Sequence, residues 1–269
     1  MSSITPNTRI ESFANGLTLQ IDERGSGSPV LVLHGGAGPQ SVGGFAAAVS
    51  ERRHVLTPTH PGFAGQPRPE WFDSVDHLAD AYLELLEKLD LHDVMVVGFS
   101  IGGWIAAEIA ARNTSHLSSI ILVDAAGIQV EGHEIADVFS LTPDGLSQLS
   151  YHNPAAFRVD PATITPEQAA GRAANFKTLA VYSQGGMFNP QLRAQLKHVN
   201  IPALVVWGES DGVVDTDYGR AYAQSLPNAR FEVIPEAGHM PQFEQPKRLL
   251  ELVWAFAESV PAQRVDSKA

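Results

Sequence analysis

The sequence predicts an α/β protein built on a doubly wound, mostly parallel sheet. Short runs rich in Val, Ile and Leu recur without polar alternation, the pattern of strands buried on both faces. Segments with helically spaced apolar residues separate them. The chain has 269 residues, 44% hydrophobic and 18% charged, which suits one large core in a single α/β unit.

The first stretch reads as a hairpin. "RIESF" and "LTLQIDER" flank Asn15-Gly16, a pair suited to a type I′ turn. "PVLVLHGG" from Pro29 is the first central strand, ending in glycines. "RRHVLTPTHPG" follows from Arg52. "SVDHLADAYLELLEKLDL" repeats apolar residues at Val75, Leu78, Ala79, Tyr82, Leu85, Leu86 and Leu89, a helical period. "HDVMVVGFS" is the next strand, and "SIGGWIAAEIAARN" a helix whose small residues allow close packing on the sheet. "LSSIILVDAAG", "IPALVVWGESD" and "ARFEVIPEAGH" supply the remaining strands, and the helix "PKRLLELVWAFAES" closes the unit. The tail from residue 261 is expected to fray.

Residues 128–198 break the alternation. They hold no convincing strand but three helix starts: Thr142-Pro143, Thr165-Pro166 and Asn189-Pro190, each a capping residue before proline at the first helical position. The expected organisation is a core of residues 1–127 and 199–269 with a helical cap at 128–198.

The formal net charge is −12, so nucleic acid and anionic membranes are not expected partners. The absence of cysteine excludes disulfides, thiolate catalysis and Cys-ligated metals. "MSSITPNTRIESFANG" shows no signal-peptide pattern, and no apolar run approaches the roughly 18 residues a membrane span needs. A cytoplasmic enzyme is the default expectation. Oligomeric state is not readable.

The chemistry centres on Gly98-Phe99-Ser100-Ile101-Gly102. It fits G-x-S-x-G and lies between a predicted strand and a predicted helix, the context of a nucleophile elbow. Such a turn exposes the Ser100 hydroxyl at the carboxyl edge of the sheet and aims the Ile101 N–H at a developing oxyanion. A serine of ordinary pKa needs a base held by a third group. "VVWGESDGVVD" places Asp211 after one later strand, and "VIPEAGHMPQFEQP" places His239 after the next. The order Ser, acid, His is that of elbow-type hydrolases. "VLHGGAGP" offers backbone N–H groups at Gly36 and Ala37, one of which can complete an oxyanion hole with Ile101.

On "LHGG", "HPGFAG", "GFSIGG", "WGESDGVV" and "PEAGHMPQFEQP", the chain resembles the α/β-hydrolase superfamily over almost its whole length. The resemblance implies an eight-stranded, mostly parallel sheet with helices on both faces and a helical cap inserted after strand six. It puts the nucleophile on Ser100, the acid on Asp211, the base on His239 and the oxyanion donors on Gly36 and Ile101. One departure is His60 in "THPGFAG", where the family usually has Asp. That position supports a loop rather than doing chemistry. A serine nucleophile separates the chain from haloalkane dehalogenases and soluble epoxide hydrolases, which use Asp. The "HGGAGP" loop is also similar to those of C–C bond hydrolases and proline iminopeptidases. The latter fit poorly, because their acidic site for the substrate amine is not found.

Asp124 in "LVDAAG" competes with Asp211 for the acid role, and Asp211 fits the motif order better. Glu209, Asp215 and Asp217 read as solvated or structural, and Glu236 as facing away from His239. His34 is expected to pack under the oxyanion loop. His54, His77, His92, His116 and His198 read as surface or element-end residues. The histidines lack metal-site spacing, so neither metal nor cofactor is expected. Phe139, Leu141, Leu146, Tyr151, Phe157, Phe176, Tyr182 and Phe188 are each expected to pack within the cap, and as a group can form an apolar ceiling over the site.

The expected function is therefore a serine hydrolase of small to medium carboxylic esters, with a small-molecule ester as its partner. A C–C bond hydrolase using the same triad is the alternative. It needs a cap arginine, for which Arg158, Arg172 and Arg193 are candidates. A non-catalytic binder on the same fold is a third reading, disfavoured by the complete triad.

Overall fold

The computed structural model describes residues 6–183 and 186–260; the expectation of fraying from residue 261 lies outside them. Eight strands form one sheet: β1 (Asn7–Ser12), β2 (Thr18–Arg24), β3 (Pro29–Leu33), β4 (His54–Thr59), β5 (Val94–Phe99), β6 (Leu117–Val123), β7 (Ala203–Gly208) and β8 (Ala229–Ile234). Their spatial order is β1-β2-β4-β3-β5-β6-β7-β8. Only β2 runs against its neighbours β1 and β4; the other pairings are parallel. The helices are α1 (Gly43–Val49), α2 (Val75–Lys88), α3 (Ile101–Arg112), α4 (Pro143–Ser150), α5 (Pro166–Tyr182), α6 (Leu192–Gln195), α7 (Thr216–Gln224), α8 (Pro241–Glu244) and α9 (Pro246–Ser259).

The unbroken apolar strands have a direct consequence. Successive side chains point to opposite faces, so an all-apolar strand needs a core on each side. Val94, Val96, Ile120, Leu122 and Val205 enter one core with Leu78, Tyr82 and Leu85 of α2, Ile105 and Ile109 of α3, and Tyr218 and Tyr222 of α7. Met95, Val97, Ile121, Val123 and Val206 enter the other, with Phe45 and Val49 of α1 and Leu249, Val253 and Phe256 of α9. The chain steps from β3 out to β4, then back across β3 to β5. That reversal opens a crevice at the carboxyl ends of β3 and β5, where open α/β sheets bind ligands.

Two local expectations need correcting. The β1–β2 hairpin forms, but its turn is not type I′. Gly16 N–H bonds the Phe13 carbonyl at 3.0 Å, and only Gly16, at φ 85°, has positive φ. This is a type I turn closed by a left-handed glycine. Second, no helix starts at Pro190. Asn189 spends its side-chain oxygen on the Gln191 N–H and its carbonyl on the Leu192 N–H, so α6 begins only at Leu192. The other two starts hold: Thr142 caps α4, and Thr165 caps α5 through a reciprocal box with Gln168. Among the described residues from 128 to 198, no strand occurs; Phe188 makes one isolated bridge to Gly127. No described helix is long and apolar enough to cross a membrane.

Candidate active site

Ser100 stands between β5 and α3 at φ 54°, ψ −118°, a conformation that costs a non-glycine residue on the order of 1–3 kcal/mol. The neighbouring glycines make it feasible. A Cβ on Gly98 would come within 2.1 Å of the Gly102 carbonyl oxygen, and one on Gly102 within 2.2 Å of that of Leu33. The Ser100 N–H bonds the Val123 carbonyl at 3.0 Å, and its carbonyl accepts from Gly103 at 2.9 Å and Ala126 at 3.2 Å. The strained turn is thus tied to β6 and to its own helix.

The loops after β7 and β8 bring Asp211 and His239 to this serine. His239 Nε2 lies 3.0 Å from Ser100 Oγ, and its Nδ1 lies 2.7 Å from Asp211 Oδ2. The other Asp211 oxygen accepts the N–H groups of Val213 at 2.8 Å and Val214 at 3.1 Å. An ionised Asp211 therefore takes Nδ1–H, leaving Nε2 as acceptor for the serine hydroxyl. Asp211 is fully enclosed, whereas the His239 side chain keeps 10% exposure.

The loop after β3 closes the other side. A Cβ on Gly35 would lie 3.2 Å from the Ser100 Cβ, so Gly36 sits one residue from contact with the elbow. Within the described residues, no partner accepts from the N–H of Gly36 or Ile101. Beneath this loop, His34 donates from Nδ1 to the Gly35 carbonyl at 2.8 Å and accepts the His60 N–H at Nε2, 3.1 Å away. His60 donates from Nε2 to the His34 carbonyl at 2.9 Å and receives the Tyr82 hydroxyl at Nδ1. These bonds need both rings neutral. Burial lowers the His34 pKa to about 4 and holds that of His60 well below the ordinary range. His34 thus packs under the loop as expected, and His60 props it where the family's Asp would be.

Sequence reasoning missed two side chains that hold these loops. Asn175 on α5 donates to the Ala37 carbonyl at 3.2 Å and accepts the Ala64 N–H at 2.8 Å. Glu244 on α8 accepts the Gly238 N–H at 2.6 Å, and those of His152 and Asn153 at 3.2 and 3.0 Å. A signal for Asn175 was available. It shares the buried face of α5 with Thr178, Leu179 and Tyr182, and a polar side chain on such a face needs a partner.

The other candidates separate cleanly. Asp124 is buried beside the relay and takes the Gly208 N–H at 2.8 Å. Asp215 caps α7 and pairs with His133 at 2.7 Å, and Glu236 is exposed. Arg158, Arg172 and Arg193 are all exposed. Tyr182 belongs to the core: it stacks on Phe63 and donates to the Pro61 carbonyl at 2.8 Å. Phe139 and Phe188 line a cavity of about 320 Å³ with Ile128, Val130, Ile135 and Met187. None of Ser100, Asp211 and His239 lines it.

A sheet of this order with a Ser–His–Asp relay at its carboxyl edge defines an α/β hydrolase. The chain belongs to the alpha/beta hydrolase family, whose model matches residues 30–252. It is 24% identical to the 2-hydroxy-6-oxo-6-(2'-aminophenyl)hexa-2,4-dienoic acid hydrolase of Metapseudomonas resinovorans, covering 95% of this chain and 93% of that one. A meta-cleavage product hydrolase superposes with a TM-score of 0.77 at 21% identity, over 95% and 98% of the two chains. A thermophilic esterase from Thermogutta terrifontis does so with a TM-score of 0.75 at 24% identity, over 96% and 99%. At such identities the structural likenesses show the fold.

Proposed function

We propose that the chain is a serine hydrolase of small to medium, largely apolar carboxylic esters. The observation that carries this reading is the unbroken relay from Ser100 Oγ through His239 to Asp211, at 3.0 and 2.7 Å. Ser100 attacks the ester carbonyl while His239 takes its proton at Nε2. Asp211 fixes the tautomer of His239 and stabilises its imidazolium. The N–H groups of Gly36 and Ile101, without acceptors among the described residues, receive the oxyanion. The alcohol leaves with the proton from His239. Water, activated by the same imidazole, then releases the acid from Ser100. The scheme requires neither metal nor cofactor.

Residues 128–198 act in this reading as a cap over the site. Leu179 supports it: a Cβ on Gly36 would meet its side chain at 2.7 Å, so α5 lies directly against the oxyanion loop. Each acyl methylene that finds apolar wall gains at most about 0.8 kcal/mol, until the pocket ends. A panel of p-nitrophenyl esters of increasing acyl length tests the reading. We expect kcat/KM to rise over the first few carbons and then fall.

The similarity to the 2-hydroxy-6-oxo-6-(2'-aminophenyl)hexa-2,4-dienoic acid hydrolase supports a second reading, cleavage of a C–C bond in a diketone-like acid by the same triad. It asks for a cationic grip on the substrate carboxylate. The exposed positions of Arg158, Arg172 and Arg193 weigh against it. Product analysis with a ring-cleavage diketone separates the two, and turnover of the diketone without any ester would favour the second.

A further inference from the structure

Asp124 follows β6 directly and lies beside the relay. Its Oδ1 takes the Gly208 N–H at 2.8 Å, while its Oδ2 is buried without a donor among the described residues. One ligand-type atom from each of Asp124, Asp211 and His239 lies within 4.8 Å of the other two, which sets the two carboxyl groups side by side. Were both ionised, the Asp124 Oδ2 would be a desolvated anion facing another anion. A single proton removes both penalties, because it gives Oδ2 a hydrogen to donate and leaves one negative charge on the pair. Both Asp211 oxygens already accept, from Val213, Val214 and His239, so the carboxyl oxygen of the pair that lacks a partner is Asp124 Oδ2.

We propose that Asp124 is a positioning residue: it stays a neutral acid and donates its Oδ2–H to Asp211, holding that carboxylate in line with His239. This rests on the relay reading above. The charged groups facing Asp124 are Asp211, Glu244 and, once protonated, His239. Burial first, and then the Asp211 charge, push its carboxyl well above the usual carboxylate range. The backbone is strained here too, with Asp124 at φ 46°. Asparagine tolerates that conformation, so the isosteric variant is a fair probe.

Asp124→Asn keeps an acceptor for Gly208 and an N–H donor for Asp211, and changes no charge if Asp124 is neutral. Two readouts apply: the rate of fluorophosphonate labelling of Ser100 against pH, and the NMR titration of the His239 ring. We expect a plateau rate within about threefold of the native protein and an unmoved midpoint in both. Asp124→Ala should lower the plateau about tenfold, a loss that Asn avoids. A midpoint in Asp124→Asn lower by about one pH unit or more would mean that a negative charge had been removed, and would overturn the proposal. So would an Ala variant that labels as fast as the native protein. Should Asp124→Ala fail to fold, the Asn comparison still decides. If native Ser100 does not label at all, the relay reading fails; the NMR arm needs no turnover and still reports the charge on Asp124.

Discussion

The Asn175 amide donates to the Ala37 carbonyl at 3.2 Å across 138 residues of chain. One side chain of α5 thereby fixes the loop that carries Gly36, and its oxygen holds the Ala64 N–H at 2.8 Å in the neighbouring loop. In the proposed reading, residues 128–198 therefore support the oxyanion side of the site as well as covering it. Asn175→Ala strands two backbone groups in a largely buried setting. It should cost about 2–4 kcal/mol of stability and about tenfold in turnover. Thermal melts and kcat on any turned-over ester check this; an Ala variant with native turnover would show that the loop keeps its place alone.

Glu244 does for the loop that carries His239 what Asn175 does for the loop that carries Gly36. Its carboxylate collects the N–H groups of Gly238, His152 and Asn153 and so joins the His239 loop to the end of α4. Glu244→Ala should loosen the 236–240 loop and slow turnover by about 10–100-fold, since misplacing a catalytic group by about 1 Å is enough. Faster amide exchange in that loop is the expected signature. Unchanged exchange alongside lost activity would point to some other role.

Gly98 tolerates no side chain. The Gly102 carbonyl oxygen, 2.1 Å from a Cβ there, is backbone and cannot swing away. Gly98→Ala should therefore yield insoluble or grossly destabilised protein. A soluble variant with native melting temperature would mean that the elbow is looser than described.

Acid should weaken the fold through its buried histidines. His34 has its pKa lowered to about 4 by burial, against about 6.5 when unfolded. Between those values the unfolded chain binds more protons, so stability falls as pH drops from about 6.5 toward 4. For His34 alone the loss amounts to about 3 kcal/mol, and His60 acts in the same direction. Denaturant titrations at several pH values should show the decline, with a flatter profile for His34→Asn. A stability that holds level from pH 7 to 4.5 would contradict the neutral pair.

The parts of this architecture legible in the sequence are those with local signals. Strands buried on both faces declare themselves by composition, and Ser100, Asp211 and His239 by their places after three strands in a fixed order. The hairpin turn was misread because Asn-Gly fits more than one turn, and strand register chose among them. Composition marks Tyr182 as an apolar residue of the insertion, for which core packing is the expected single role, but does not say what packs on it; Phe63 and Pro61 do so here. Asn175, Glu244 and the Asp124–Asp211 contact depend on pairings between distant segments, for which a single sequence carries no local mark.

The central claim is that Ser100 is the nucleophile of the relay, and covalent labelling tests it most directly. The native protein, treated with a fluorophosphonate and mapped by peptide mass spectrometry, should carry one adduct, on Ser100. Ser100→Ala should remain folded, take up no label and lose activity by about 10⁴-fold or more. An adduct on another serine, or an Ala variant that keeps its activity, would contradict the account.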